Sequence, residues 1–296
     1  MSENSSLTEA PVIRRKKKSQ WKDIWKRFRK NKTAMAGLIV IVIFIFTAVF
    51  ADYVAPEGYD DQDYDRTFLM PNSQNWMGTD NFGRDIFSRI VYGARTSMQI
   101  GFTVVGISMV VGVLMGSIAG FYGGVMDNIL MRIVDIFLAI PNILLAIAIV
   151  SALGNGITNL MIAVGIGAIP GYARIVRASV LTIREQEFIE AARSIGASEA
   201  RLIFRHILPN CMAPIIVQST LGIAVAILSA AGLSFVGLGI MPPKPEWGSM
   251  LNAGRPYIRD FWPGVVFPGL AIVIVILALN MMGDGLRDAF DPRLKK

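Results

Sequence analysis

Five long stretches without a Lys, Arg, Asp or Glu constrain what this chain can fold into. They cover residues 34–51, 96–126, 136–173, 207–243 and 261–283. A helix needs about 20 apolar residues to cross a bilayer, so each stretch can supply a span. The 38 residues of 136–173 are too many for one crossing, and Gly154-Asn155-Gly156 divides them. The pattern predicts an all-α, polytopic membrane protein with six transmembrane helices.

The expected organisation is a basic cytoplasmic tail at 1–33 followed by one transmembrane domain at 34–296. An extracytoplasmic loop is expected at 54–96 and a cytoplasmic loop at 176–209. The apolar run 34–51 is longer than the core of a signal peptide, about 7–15 residues, so it is interpreted as a retained span. The spans are expected at about 34–53, 97–120, 134–153, 157–175, 213–234 and 264–284.

The net charge of +7 comes from the N-terminus. Residues 1–33 carry eleven Lys and Arg against three acids, whereas the remainder of the chain is almost neutral. With six spans, 22 of the 29 basic residues fall on one side, and the positive-inside rule places both termini in the cytoplasm. The basic surplus therefore indicates a membrane anchor and argues against nucleic-acid binding.

The basic tail also contains an amphipathic pattern. Trp21, Trp25 and Phe28 follow one another at i, i+4 and i+7 among cations. One interpretation is a helix that lies on the anionic inner leaflet with its rings among the headgroups. The other is a solvated basic anchor, and the sequence leaves both open.

Two patterns concern the second span. Gly112, Gly116 and Gly120 lie on one helix face, which favours close packing of a neighbouring helix, with a glycine-lined pore wall as the alternative. Before the span, residues 80–91 place apolar side chains on one face, and a separate helix resting on the membrane surface is expected there.

Residues for self-contained chemistry are missing. No ionisable group lies within the predicted span cores, which argues against proton coupling, although sodium held by backbone carbonyls would escape this test. The chain has one histidine, His206, and one cysteine, Cys211. A single cysteine cannot form an intrachain disulfide, and a single histidine cannot build a metal cluster alone. The two residues are five apart, so they do not share a helix face as a nucleophile and its base would. No Gly-Lys dipeptide occurs, so there is no phosphate-binding P-loop.

The loop between the fourth and fifth spans contains a short predicted helix at 187–198. Ile189, Ala192, Arg193 and Gly196 share one side of it, Ala191 and Ala192 leave the backbone approachable, and Gly196 can end the helix. Small residues on an exposed helix suit docking into a groove of a partner. An ordinary amphipathic connector is the alternative.

These residues carry a family resemblance. Glu190-Ala191-Ala192, Gly196 and Leu208-Pro209 resemble the EAA loop of permease subunits in binding-protein-dependent ABC importers. Where the family commonly has an aliphatic residue two before Leu208, this chain has His206, which resembles the peptide and nickel branch. Further motifs resemble, in order, the second, C-type permease of dipeptide and oligopeptide importers: Gly78-Thr79-Asp80, Gly83-Arg84-Asp85, Ser88-Arg89, Gly93 with Arg95 and Ser97, 232–239, 245–251 and 283–288.

The resemblance implies the fold of a type I ABC importer permease in the cytoplasmic membrane. It also implies a heterodimer with a second permease subunit, two cytoplasmic ABC ATPase subunits and an extracytoplasmic solute-binding protein. This chain would translocate di- or oligopeptides by alternating access, with lipid around it. It would not be an enzyme and would bind no cofactor, since ATP and Mg belong to the partner ATPases.

The resemblance also assigns residues. The segment 187–198 would be the coupling helix, seated in a groove of an ATPase subunit, and a weaker assignment puts Ser234, Phe235, Gly237 and Gly239 near the substrate path or gate. The rival hypotheses are a secondary transporter or channel without a nucleotide-hydrolysing partner, and a membrane enzyme or scaffold. The residues assigned to ATPase coupling are Glu187, Ile189, Glu190, Ala191, Ala192, Arg193, Gly196, Ala197, Leu208 and Pro209.

Overall fold

A computed structural model describes residues 20–291, which form twelve α-helices. Within that range no β-strand occurs, only an isolated antiparallel bridge between Thr79 and Asp85. Three 3₁₀ turns lie at Tyr64–Arg66, Leu208–Asn210 and Arg255–Tyr257, and a π-helical segment at Leu202–Ile207. The helices are α1 (Gln20–Lys30), α2 (Lys32–Val49), α3 (Ala51–Val54), α4 (Ile86–Tyr122), α5 (Gly124–Ala139), α6 (Asn142–Leu153), α7 (Ile157–Arg184), α8 (Glu187–Ser194), α9 (Glu199–Arg201), α10 (Met212–Phe235), α11 (Trp247–Gly254) and α12 (Pro263–Phe290).

Between residues 20 and 291, five helices are long and apolar enough to cross a membrane: α2, α4, α7, α10 and α12. A sixth span exists if α5 and α6 count as one, and these two meet at a bend of 90°. The expected single run at 134–153 is therefore two helices. Pro141 explains the break, because the residue before a proline avoids helical geometry, and Ile140 has an extended ψ of 127°.

The helix α4 is longer than a bilayer requires. Its 37 residues extend about 55 Å, against about 30 Å of hydrocarbon. It starts within the region expected as the loop 54–96, and the separate surface helix expected at 80–91 does not form. The side chains of Ile86, Ile90 and Val91 are buried within the protein, and the Asp85 carboxylate accepts a hydrogen bond from the Ser88 N–H at 2.7 Å. The helix α7 likewise continues to Arg184, into the expected loop 176–209.

The glycines of α4 make its contact with α7. A Cβ atom at Gly116 would lie 2.5 Å from the carbonyl oxygen of Ala173, and one at Gly120 would lie 2.9 Å from the Cβ of Val180. Gly112 approaches Tyr172 in the same way. Because the two backbones pack this closely, the packing interpretation is confirmed and the pore-wall interpretation is wrong.

Short polar motifs shape the end of the bundle where α4 begins. Arg84 donates from Nε and Nη2 to the carboxylate of Asp80 at 2.8 Å. The Glu246 carboxylate caps α11 by accepting from the N–H groups of Gly248 and Ser249, each at 2.8 Å. Several motifs behind the family resemblance therefore have structural roles here.

The side chain of Trp247 closes this end of the bundle. It has no exposed surface, and its indole N–H donates to the carbonyl of Ile90 at 3.1 Å. Phe44 of α2 meets the ring edge to face at 5.7 Å. The helices α2, α4 and α11 are thereby packed together around one aromatic centre.

Candidate functional site

The opposite end of the bundle is a platform made by the last turns of α4 and α7. The guanidinium of Arg184 donates to the carbonyl oxygens of Gly120 at 2.8 Å and Phe121 at 3.2 Å. The last carbonyls of a helix have no partner within the helix, so Arg184 both satisfies them and joins the two helix ends. The helix α8 starts three residues after Arg184, so this contact also fixes where α8 begins.

Two ion pairs join α5 to α7 at this end. Arg177 binds the carboxylate of Asp127 through Nε at 2.5 Å and Nη2 at 2.6 Å, and the Asp127 side chain is mostly buried. Arg174 contacts Asp135 at 2.6 Å through one nitrogen, with both side chains exposed. A bidentate, partly buried pair holds its helices more firmly than an exposed single contact.

The difference between these pairs gives a prediction. Asp127→Asn should lower the free energy of unfolding by about 1–2 kcal/mol, because a neutral amide cannot accept both hydrogen bonds from the guanidinium of Arg177. The matched change Asp135→Asn should cost about 0.5 kcal/mol or less. Thermal unfolding of the purified chain in detergent measures both, and equal losses would show that the buried pair has no special role.

The helix α8 has one face in the protein core and one in the open. Ile189 and Ala192 are buried against a cluster that includes Leu202 and Ile207. The side chain of Ile195 is 86% exposed, which is unusual for a large apolar residue and typical of an interaction surface. The exposed residues are Glu187, Phe188, Glu190, Ala191, Arg193, Ser194, Ile195 and Gly196.

This division corrects the expected faces. Ile189 and Ala192 do not share an accessible side with Arg193 and Gly196, and Ala192 is unavailable for contact with a partner. Ala191 alone of the two alanines leaves the backbone approachable. A helical period shows which residues share a face, but the core contacts of α8 decide which face is covered.

The end of α8 is set by Gly196, as expected. Its φ of +84° is in the left-handed region, the N–H of Gly196 donates to Arg193 at 3.0 Å, and the N–H of Ala197 donates to Ala192 at 3.1 Å. These two bonds form a Schellman motif, in which the residue after them packs back on the helix. Ala197 accordingly contacts the same core cluster as Ile189.

The segment after α8 leads to α10, one of the helices that are long enough to cross a membrane. Leu208 and Pro209 both lie in the 3₁₀ turn Leu208–Asn210, where Leu208 packs against the same core cluster as Ile189 and Pro209 is exposed. The carbonyl of His206 accepts from Asn210 Nδ2 at 2.6 Å. Burial raises the pKa of the Cys211 thiol to about 11, so this cysteine stays protonated at neutral pH and is a poor nucleophile.

The residues assigned to a path or gate lie where α10 ends. Gly237 has a φ of +87°, and the N–H groups of Gly237 and Leu238 donate to Ser234 at 3.0 Å and Leu233 at 2.9 Å. This is a second Schellman motif. Gly239 then packs on Ser234, because a Cβ at Gly239 would lie 2.5 Å from the Cα of Ser234. These glycines are explained by the turn itself.

Phe235 completes this turn. Its ring lies under the guanidinium of Arg255 at 5.3 Å, a cation–π contact that joins the end of α10 to the turn after α11. None of the four residues Ser234, Phe235, Gly237 and Gly239 lines the cavity described next.

A cavity of about 210 Å³ lies among α4, the α5–α6 bend, α7 and α10. Asn142, Gln218, Ser229 and Tyr172 supply polar groups to walls that are otherwise aliphatic or glycine, and no charged side chain of the described residues lines it. Because this site contains no charged side chain among the described residues, the uncharged spans did not reveal it. Uncharged polar residues such as Asn142 and Gln218 inside apolar runs were the available signal.

The described residues also contain no cluster of metal-binding side chains. Within residues 20–291, no group of three or more His, Cys, Asp or Glu side chains is placed to hold a metal ion.

Comparison with protein families gives two matches. Residues 112–296 match the family described as binding-protein-dependent transport system inner membrane component. Residues 19–71 match the N-terminal TM domain of oligopeptide transport permease C. Together the two matches cover α1 to α3 and the chain from the glycine face of α4 onward.

Curated relatives match almost the whole chain. The dipeptide transport system permease protein DppC of Alkalihalophilus pseudofirmus is 50% identical over 94% of this chain and 91% of the relative. The di/tripeptide transport system permease protein DppC of Pseudomonas aeruginosa is 46% identical over 94% and 93%. The glutathione transport system permease protein GsiD of Pectobacterium atrosepticum is 44% identical over 98% and 97%.

Solved structures share the fold. An inward-facing structure of the MetNI methionine ABC transporter superposes with a TM-score of 0.57 at 20% identity, over 70% of this chain and 98% of the other. An amino acid ABC transporter crystallised with histidines gives 0.51 at 17% identity, over 70% and 95%. At these identities the likeness concerns the fold alone.

Proposed function

The chain belongs to the binding-protein-dependent transport system inner membrane components, and on that premise we propose that it is the C-type permease subunit of an ATP-driven importer of di- or oligopeptides. It is a multi-pass membrane subunit and not an enzyme, and ATP hydrolysis is the work of separate ATPase subunits. The substrate class rests on relatives named for dipeptide, di/tripeptide and glutathione transport.

One observation supports the proposal: the short helix α8 has one exposed face, and its other face packs on the core at the end of the bundle where Arg184 joins α4 and α7. The exposed face, with Glu190 and Ala191 near its centre and Ile195 and Gly196 at its end, would dock into a groove of an ATPase subunit. The buried residues Ile189 and Ala192 would hold α8 to α7. Glu187 and Arg193 would add charged contacts at the rim, while Ala197, Leu208 and Pro209 would fix the segment behind it.

The mechanism we propose is alternating access. ATP binding closes the pair of ATPase subunits, the docked α8 moves with them, and the ends of α4 and α7 move because Arg184 ties them together. ATP can drive this change only by binding the two states with different affinity, and α8 is the contact through which that difference reaches the spans. Hydrolysis reverses the movement.

The proposed assembly contains this chain, a second permease subunit as a heterodimer partner, two ATPase subunits and a solute-binding protein. Both termini and α8 would be cytoplasmic, which agrees with the basic residues concentrated on that side. The loop 55–85 and the turn with α11 would face the solute-binding protein. No cofactor or nucleic acid is part of this proposal for the chain itself.

The direct test is uptake by the complete transporter in proteoliposomes. Radiolabelled dipeptide and glutathione should accumulate only when the solute-binding protein is outside and ATP is inside. Accumulation without the ATPase subunits would instead favour a secondary transporter or channel. ATP-dependent uptake of another solute class, with no competition by peptides, would overturn the substrate and keep the permease function.

We further propose that the cavity of about 210 Å³ is this chain's share of the substrate path. Gly171→Leu should lower peptide uptake at least about tenfold, since about 1.4 kcal/mol on the barrier is sufficient for that loss. A Cβ at Gly171 has Gln218 Nε2 as its nearest neighbour at 3.9 Å, so the backbone tolerates the change and the leucine fills the cavity. Uptake by Gly171→Ala is the control, and equal rates in both variants would place the path elsewhere.

A further inference from the structure

The helix α1 is held against the transmembrane bundle mainly by one side. Phe28 is 3% exposed and packs with Ala34 of α2 and Ala289 of α12, and Ile24 lies against the same cluster. The guanidinium of Arg27 is directed to the same side of α1 and donates a hydrogen bond to the backbone carbonyl of Asp291 at 3.4 Å. On the remaining side, Trp21 meets Phe290 of α12 edge to face with ring centroids 6.1 Å apart, and Trp25 stacks on Phe28 of α1 itself.

That remaining side has an unusual composition. Trp21 is 61% and Trp25 is 53% exposed. Between residues 21 and 30 the only acid, Asp23, is partly covered, so every exposed side chain is a tryptophan or a cation. We call this surface the Trp–cation face, and it consists of Trp21, Lys22, Trp25, Lys26, Arg29 and Lys30.

The position of α1 relates this face to the bilayer. A single residue, Asn31, separates α1 from α2, which is the first helix long enough to cross a membrane. Asn31 is extended, with ψ of 105°, and its side chain accepts from the N–H of Ala34 at 3.2 Å. The helical path is therefore interrupted at Asn31, and α1 adjoins the end of a span.

The chemistry of the face fits that position. Tryptophan has a large apolar ring and one N–H donor, so it is most stable at the level of the headgroups, where both parts find partners. Cations beside the rings are attracted to anionic headgroups, and long Lys side chains can extend into water while their stems cover apolar surface. A solvated basic anchor would have no reason to expose two indoles.

We propose that the Trp–cation face binds the anionic phospholipids of the adjoining leaflet, with the two indoles among the headgroups and the four cations on their phosphates. The site is independent of the transport cycle proposed above. An acidic surface on an ATPase subunit is the rival occupant. The lipid fits better because the face adjoins the start of a span, whereas α8, the proposed ATPase contact, packs on α7.

The test uses indole fluorescence of the full-length chain in nanodiscs. One set contains phosphatidylcholine with a fixed fraction of brominated phosphatidylglycerol, and a second set contains the same fraction of brominated phosphatidylcholine. The difference between wild type and Trp21→Phe/Trp25→Phe isolates the two indoles of α1 from Trp76, Trp247 and Trp262. We expect brominated phosphatidylglycerol to quench them about twofold more than brominated phosphatidylcholine.

The variant Lys22→Gln/Lys26→Gln/Arg29→Gln/Lys30→Gln should lose this excess. Its matched control removes four exposed cations elsewhere, Arg132→Gln/Arg201→Gln/Lys244→Gln/Arg259→Gln, and should keep it. Both variants retain the cations at 14–18, so the comparison concerns the helix face. Equal quenching by the two lipids in wild type, or an excess that survives in the first variant, would overturn the proposal. Indoles that lipid does not quench but that added ATPase subunits shield would assign the face to the ATPase.

Discussion

Ala191→Trp should abolish peptide uptake by the reconstituted transporter. Ala191 is exposed in the middle of α8, so we expect an indole at this position to leave the fold of the chain unchanged. In the complex the same indole would hold α8 away from its groove. A central interface residue typically contributes about 2–4 kcal/mol, so docking should weaken about 30- to 1,000-fold.

Two measurements make this prediction specific. The variant should unfold at the wild-type temperature but lose the ATPase subunits during purification, and peptide-stimulated ATP hydrolysis should fall with uptake. Ala191→Ser keeps a small side chain at the same position and should transport normally. Normal uptake by Ala191→Trp, with the ATPase still bound, would show that this face of α8 does not dock.

Gly116→Leu should strongly destabilise the folded chain. A Cβ at this position would lie 2.5 Å from the carbonyl oxygen of Ala173 and 2.9 Å from the Cβ of Val176, so α4 and α7 would have to separate. Both contacts involve groups close to the backbone, which cannot rotate away. We expect a loss of about 3 kcal/mol or more, and hence a melting temperature lower by about 10 °C.

Gly106→Leu is the matched control on the same helix, because a Cβ at Gly106 has no neighbour within 4 Å. Both variants lose a helix-interior glycine, so the difference between them measures the α4–α7 contact and not helix propensity. The comparison uses the monodisperse yield and thermal unfolding of the isolated chain in detergent. Equal behaviour of the two variants would mean that the glycine face is not a close packing surface.

The segment 187–198 around α8 shows which features could be predicted from the sequence and which could not. Gly196 was expected to end the helix, and it does, because a left-handed residue is a local requirement that glycine meets at low cost. Which face of α8 is open was not predictable in this way. It depends on contacts with Leu202 and Ile207, which belong to a π-helical segment that no local pattern announced.

The third predicted span contains a local sequence signal for its break that the prediction did not use. Pro141 stands inside the longest uncharged run, and its effect on Ile140 is a backbone constraint of the same local kind as Gly196. The division of that run was assigned to Gly154-Asn155-Gly156 alone. The 90° angle between α5 and α6 could not be predicted from local sequence, because it depends on how both helices pack against α7.

The sequence by itself determined that this chain is a bundle of apolar helices and to which family it belongs, and it favoured the glycine face of α4 as a packing surface. These features are local, since the cost of burying charge and the conformational freedom of glycine act residue by residue along the chain. Only the tertiary structure decided which side of α8 is exposed, that Trp21 and Trp25 are uncovered while Trp247 is enclosed, and that Asn142 and Gln218 share a cavity. Exposure is a property of pairs of elements distant in sequence, so it is settled only when those elements pack.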